Sequence, residues 1–350
     1  MTTTLGAQLA VAYAAPLFSL VYGLLGLVWA LGGPGFPFGD QRAPDGMSFF
    51  VGATPEAMGP VIAAVGLAGG VAGLLMARAV RGGRPVLLAV AAVQAVALLL
   101  VLPDIRILQN FAYLFFGYFG LIDWPVVNMA LCIAGGVLWT AAAVVYRQST
   151  SDTCAGCGRV PARWTSPAAA ARWGRWAAYA GAACALPYGL VRTYWGIELA
   201  LGLDNGEVGR TVPHVLMLFV LGGLPLGGAV LTIGLTRRWG EVWPRWVPFL
   251  RGRRVPLWFP VTLGSWAAII VTLSGLKFDV LAVRAIADGT ATLNWSGGPG
   301  LAFLPWGVAV GVATLGYYLR RRKPCAACAS AGGGEPFVHG GPAGLGQATP

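Results

Sequence analysis

Charge is scarce in this chain. Asp, Glu, Lys and Arg together make up 11% of its 350 residues, and only 13 of them are acids. Histidine is scarcer still, with His214 and His339 alone. Two histidines cannot build an HExxH zinc-protease site or a histidine-rich di-iron cluster. No GxxxxGK[ST] loop occurs, so ATP hydrolysis would need a separate subunit, and no Ser-His-Asp arrangement stands out. Catalytic motifs therefore give an enzymatic function no support.

What fills the chain instead is apolar. Hydrophobic residues make up 57% of it, and its mean hydropathy is +0.69. Apolar runs of about 20 residues recur, the length that crosses a ~30 Å hydrocarbon layer. Eight spans are expected, at 7–32, 57–77, 85–103, 125–146, 174–197, 213–236, 257–276 and 299–319. The first lacks a basic n-region after "MTTT" and is too long for a signal peptide, so it is read as a retained span. The fold class is all-α, a polytopic membrane helix bundle.

The formal net charge of +11 would suit nucleic acid, but its distribution argues for topology. Eighteen of the 24 Lys and Arg fall at the ends of alternate loops, as in Arg78–Arg84, Arg237–Arg254 and Arg320–Lys323. Ten of the 13 acids lie in the opposite loops. Excess Lys and Arg marks the cytoplasmic side. The expected location is the plasma membrane, with both termini in the cytosol, anionic lipid as partner and no nucleic acid. Protein partners cannot be read. The aromatic segment "FAYLFFGYFGLI" (111–122) is half a span long and reads as an interfacial or re-entrant helix on the outer face.

The two halves resemble each other. Sliding 121–157 onto 292–328, a shift of 171, places Trp124 on Trp295, Tyr146 on Tyr317, Cys154 on Cys325 and Cys157 on Cys328. "YGLLGLVW" (22–29) and "YGLVRTYW" (188–195) share a Tyr-Gly-Leu and a Trp seven residues after the Tyr. Both second spans carry close glycines, and Gly66–Gly70, Gly69–Gly73 and Gly223–Gly227 fit the small-xxx-small spacing that lets membrane helices approach. Each half has an even number of spans, so the expected architecture is two parallel four-helix repeats about an axis along the membrane normal. Residues 1–165 and 166–329 form the repeats, and 330–350, rich in Gly, Ala and Pro, forms a disordered cytosolic tail.

Each repeat ends in Cys-x-x-C, at Cys154/Cys157 and Cys325/Cys328. The cytosol keeps thiols reduced, and tetrahedral zinc takes four thiolates, commonly as two such knuckles. A four-thiolate zinc staple joining the cytosolic ends of the halves is the leading reading. A redox-active dithiol relay and exposed thiols without a joint role stand beside it. Cys132 and Cys184 lie alone inside spans and read as core.

Ionisable groups inside membranes are suspects for function. Arg192, with Glu198 beyond it, is either a snorkelling side chain or a substrate contact. Asp123 and Asn294, each before a Trp, open the fourth and eighth spans and serve either as helix caps or as guards of an outer vestibule. In "RRWGEVWPRWVPFLRGRR" (237–254), Arg237 and Arg238 with Trp239, Trp243 and Trp246 suit an interfacial segment on anionic lipid, with a phosphate-bearing substrate as the alternative.

At "ALPYGLVRTYWG" (185–196) and "GEVWPRWVPFLRGRRVP" (240–256) the chain resembles uncharacterised multi-pass membrane proteins of high-GC actinobacteria. Twenty-two arginines against two lysines fit that coding bias. The resemblance covers mainly the second half and implies kinship without an activity. A four-helix bundle ending in Cys-x-x-C is also similar to vitamin K epoxide reductase-like enzymes. Those work from the side opposite the cytosol and use a further loop cysteine pair, and this sequence departs on both counts. The expected function is a small-solute transporter or membrane scaffold; the alternative is a membrane-bound thiol–disulfide oxidoreductase.

Overall fold

A computed structural model describes residues 2–39, 48–114, 117–150, 163–203, 212–245, 247–289 and 298–322. These residues form helices, with no strand among them; the nearest to one is an isolated antiparallel bridge between Val242 and Arg254. The helices are α1 (Thr2–Ala30), α2 (Pro55–Ala77), α3 (Arg84–Val96), α4 (Arg106–Leu114), α5 (Trp124–Thr150), α6 (Pro167–Leu201), α7 (Val212–Gly234), α8 (Trp258–Ala287) and α9 (Phe303–Arg321). A π-helical turn, Ala97–Val101, continues α3.

Local sequence fixes several boundaries. Thr54 and Ser166 lie just before α2 and α6 and accept the backbone N–H of Ala57 and Ala169. Pro55 and Pro167 follow, where a missing N–H costs nothing. Gly202, with φ 72°, ends α6 in the left-handed conformation that favours glycine.

Among the described residues, seven helices are long and apolar enough to cross a membrane: α1, α2, α3 with its π turn, α5, α7, α8 and α9 with the turn before it. Their outward faces carry large aliphatic side chains, such as Leu17, Leu24, Val65, Val71, Val93 and Leu231. A helix apolar all round belongs in lipid or deep in a core, and these faces have no protein cover. The molecule is thus a multi-pass membrane protein. The helix α6, though 35 residues long, is not among the seven. Arg172, Arg175, Arg192 and Glu198 dilute its apolar character.

Each half packs around its own core. In the first, Tyr22 and Trp29 of α1, Met76 of α2, Leu98 of the π turn, and Cys132 and Trp139 of α5 cluster out of solvent. In the second, Ala185 of α6, Ala229 of α7, Val271 of α8 and Phe303 and Trp306 of α9 do so. A third cluster sews the halves together: Ile107 of α4 and Val126, Met129 and Ile133 of α5 meet Leu273 of α8.

Three expectations need correcting. The helix expected at 111–122 runs instead from Arg106 to Leu114. Asp104 starts it by accepting the Arg106 N–H at 2.9 Å, and Gly117, at φ 65°, lies in a turn beyond it. Nine residues are too few to span. Next, α9 begins at Phe303, eight residues later than its alignment with α5 predicts, because a tighter turn over Gly298–Ala302, with Gly298, Pro299 and Gly300, precedes it. Finally, Gly223 and Gly227 do not meet another helix; a Cβ on either would find open space. Gly222 makes the close contact instead, against Gly189 and Thr193 of α6.

Candidate functional site

Lysine occurs twice in the chain, and one copy, Lys277, sits inside α8 only 1% exposed. Taking an ammonium out of water costs several kcal/mol unless partners replace its hydration. Here its Nζ donates to the carbonyl of Val101 at 2.7 Å and lies 3.3 Å from the ring centre of Phe49. Val101 ends the π turn just before Pro103, where the helix stops, so the lysine caps a carbonyl the helix leaves free. Such turns frequently mark functional positions. Asp104 lies close enough to act on the ammonium electrostatically.

Asp104 is itself 1% exposed and accepts from the Arg106 guanidinium at both oxygens, Nε to Oδ1 at 3.1 Å and to Oδ2 at 3.2 Å, and Nη2 to Oδ2 at 2.9 Å. A two-point guanidinium–carboxylate fork fixes both partners in orientation. Asp104, Arg106, Ser48, Gly39, Asn128 and Met129 line a cavity of about 10 Å³, room for a single water. From it a polar chain enters the first bundle. Tyr22 donates to Asn128 Oδ1, and its hydroxyl lies 3.5 Å from Cys132 Sγ. Farther along, Trp139 Nε1 donates to Ser19 Oγ at 2.9 Å. Apolar helices thus enclose a hydrogen-bonded polar strip reaching inward from a charged mouth.

A second hollow is apolar. In the first half α2 packs on α3, whereas α7 and α8 stand apart. Between them lies a cavity of about 270 Å³, lined by Leu231 and Leu235 at the end of α7, Phe259 and Leu263 of α8, and floored by Trp306 and Val310 of α9. Trp239 and Trp243 close its arginine-rich end. Trp239 packs over Gly234, and the Trp243 ring lies 5.6 Å from that of Phe259. The Trp306 indole N–H and the Thr314 hydroxyl are buried without a hydrogen-bond partner among the described residues.

The residues singled out from sequence do not converge. Arg192 stacks on the rings of Tyr188 and Trp195, with its guanidinium carbon 5.0 and 4.9 Å from their centres. Glu198 accepts the Tyr194 hydroxyl. Asp123 caps α5 through the Val126 N–H at 3.1 Å. Arg237 donates to Tyr179 of α6 at 3.0 Å. Arg238 is exposed. Cys154, Cys157, Cys325, Cys328, Asn294 and Trp246 lie outside the described residues. Among those described, no three His, Cys, Asp or Glu side chains gather as a metal would need. Cys132 is fully buried, as expected of a core thiol, and Cys184 is half-buried.

Sequence reasoning misses Lys277 and its partners because the expected span stops at residue 276. A lone lysine inside "LSGLKFDVLAV" is the signal available. Its partners come from other segments, and nothing local announces them.

Fold and site together define a class, the polytopic α-helical membrane proteins with a polar seam between two bundles. No family model matches the chain, and neither a curated protein nor a solved structure matches it.

Proposed function

We propose that the chain is an eight-span plasma-membrane protein, with α6 as the eighth span, built from two parallel four-helix repeats with both termini in the cytosol. Its function on this reading is transporter-like: a small polar solute binds at the outer seam around Lys277 when the cavity beside it, which has room for one water in this structure, widens. One observation carries this, a lysine buried within a span beside an Asp104–Arg106 fork that lines a polar cavity. A scaffold alone gains nothing from a charge so costly to bury.

Equivalent contacts in the two halves support duplication. Tyr146 of α5 donates to the carbonyl of Val80, between α2 and α3, and Tyr317 of α9 donates to that of Gly240, between α7 and α8. These tyrosines coincide under the shift of 171. Gly136 approaches Ala95 and Leu99 of the α3 segment, and Gly307, its counterpart, approaches Thr272 of α8. Gly23 abuts Gly66 in the first pair of helices, and Gly189 abuts Gly222 in the second. The Lys277–Val101 bond brings together the C-terminal parts of both third helices, an arrangement that parallel repeats allow.

The test is thermal melting of the purified full-length protein in detergent against a panel of small anions, cations and neutral solutes. One solute class is expected to raise the midpoint, since a ligand at 100 times its Kd adds about 2.7 kcal/mol. Lys277→Met should abolish that shift while still folding. A shift that survives Lys277→Met, or none with any class, overturns the solute site and leaves the scaffold reading.

A further inference from the structure

The loop between α7 and α8 is more than a connector. Trp243 N–H donates to the Arg253 carbonyl at 2.9 Å, Gly252 N–H to that of Trp243 at 3.0 Å and Val255 N–H to that of Glu241 at 2.8 Å. These bonds tie 241–243 to 252–255 as a short ribbon across the arginine-rich end of the apolar groove. Arg238, Arg245, Arg251, Arg253 and Arg254 are exposed on or beside it. Glu241 is the single acid of the loop, and Arg320 holds it at 2.7 Å. Phe249, 91% exposed, marks the ribbon's tip.

A membrane-embedded groove, apolar along its walls and rimmed by uncompensated arginines, matches a molecule with one hydrocarbon chain to bury and a negative head. Its α8 wall runs from Phe259 to Val271, about 18 Å at ~1.5 Å per residue. One leaflet's hydrocarbon is about 15 Å deep, half the ~30 Å core. A volume of about 270 Å³ falls just below the range of drug-sized pockets and suits one chain. The groove is open sideways as well, since Leu231 and Leu263 on its two walls are both exposed.

We propose that the α7–α8 groove binds one acyl chain of an anionic phospholipid, whose phosphate rests on the arginines of the 238–254 segment. Each arginine near a membrane surface adds about 1 kcal/mol of attraction to anionic lipid, so the ribbon selects the head and the groove holds the chain. The proposal rests on the membrane reading and not on the solute site. Lys277→Met therefore leaves it untouched, and the two can fail separately.

The experiment is native mass spectrometry of full-length protein released from nanodiscs of mixed phosphatidylcholine and phosphatidylglycerol. One phosphatidylglycerol per chain is expected, retained at least about tenfold over phosphatidylcholine. Ala267→Trp, which fills the groove from an exposed lining position, should remove it. Arg238, Arg245, Arg253 and Arg254 all changed to Gln should erase the preference without touching the core. Equal retention of the two lipids overturns the proposal. So does undiminished phosphatidylglycerol on a helical Ala267→Trp protein. If that variant does not fold, an unchanged preference in the Gln variant overturns it alone.

Discussion

Thr314 and Thr232 carry the same side chain in two helices of the second half, yet their hydroxyls fare differently. Thr232 of α7 returns its proton to the Gly228 carbonyl at 2.7 Å. Thr314 of α9, 3% exposed, has no partner among the described residues and presses toward Gly264. An unsatisfied buried hydroxyl costs about 1–3 kcal/mol, more than its bond would return. Thr314→Val is therefore expected to stabilise the protein by about 1 kcal/mol and raise its melting midpoint by a few degrees. Thr232→Val should lower it by a similar amount. Melting followed by circular dichroism in one detergent compares them directly. At this scale the sequence is partly readable. Asp before Trp-Pro announces the cap that Asp123 provides, and a solitary apolar thiol inside a span places Cys132 in the core. Lys277 stays hidden because its carbonyl and ring partners lie at Val101 and Phe49, far away along the chain.

Between helices, glycine decides how close two axes come. A Cβ on Gly66 would lie 2.6 Å from the Gly23 Cα and 2.8 Å from the Ser19 carbonyl, both backbone atoms that cannot swing aside. Gly66→Val should thus cost at least the roughly 1–3 kcal/mol typical of overpacking. Gly223→Val meets nothing and should leave the melting midpoint unchanged or higher, since glycine is a poor helix former. Equal losses in both variants would show that α7 is packed where the structure leaves it open. Small-xxx-small spacing is visible in both helices, but such spacing permits an approach without compelling one. Span positions are legible because lipid demands a long apolar run. The splaying of α7 from α8 is not, because hydropathy says how far a helix runs and nothing about which neighbour it touches.

For the molecule as a whole, the zinc staple is the proposal with most at stake. The tyrosine contacts put the C-terminal parts of α5 and α9 beside the α2–α3 and α7–α8 loops, and both Cys-x-x-C pairs follow those helix ends in sequence. Metal analysis of the purified protein should find one zinc per chain, lost when Cys154, Cys157, Cys325 and Cys328 are all changed to Ser. Zinc absent from the intact protein, or unchanged in the variant, removes the staple and leaves the halves joined by the Lys277 seam and the cluster around Leu273.

The length of α6 carries its own consequence. Its 35 residues measure about 52 Å, some ~20 Å beyond the hydrocarbon layer. On the proposed crossing the surplus falls at its beginning, where Trp173 donates to the Trp164 carbonyl, Trp176 is 75% exposed, and Arg322 at the end of α9 reaches the carbonyl of Thr165. If α6 crosses as proposed, the molecule carries a spar that stands proud of the membrane, braced at its foot. Thicker or thinner lipid would then shift the waterline along that spar and leave the bundle unbent.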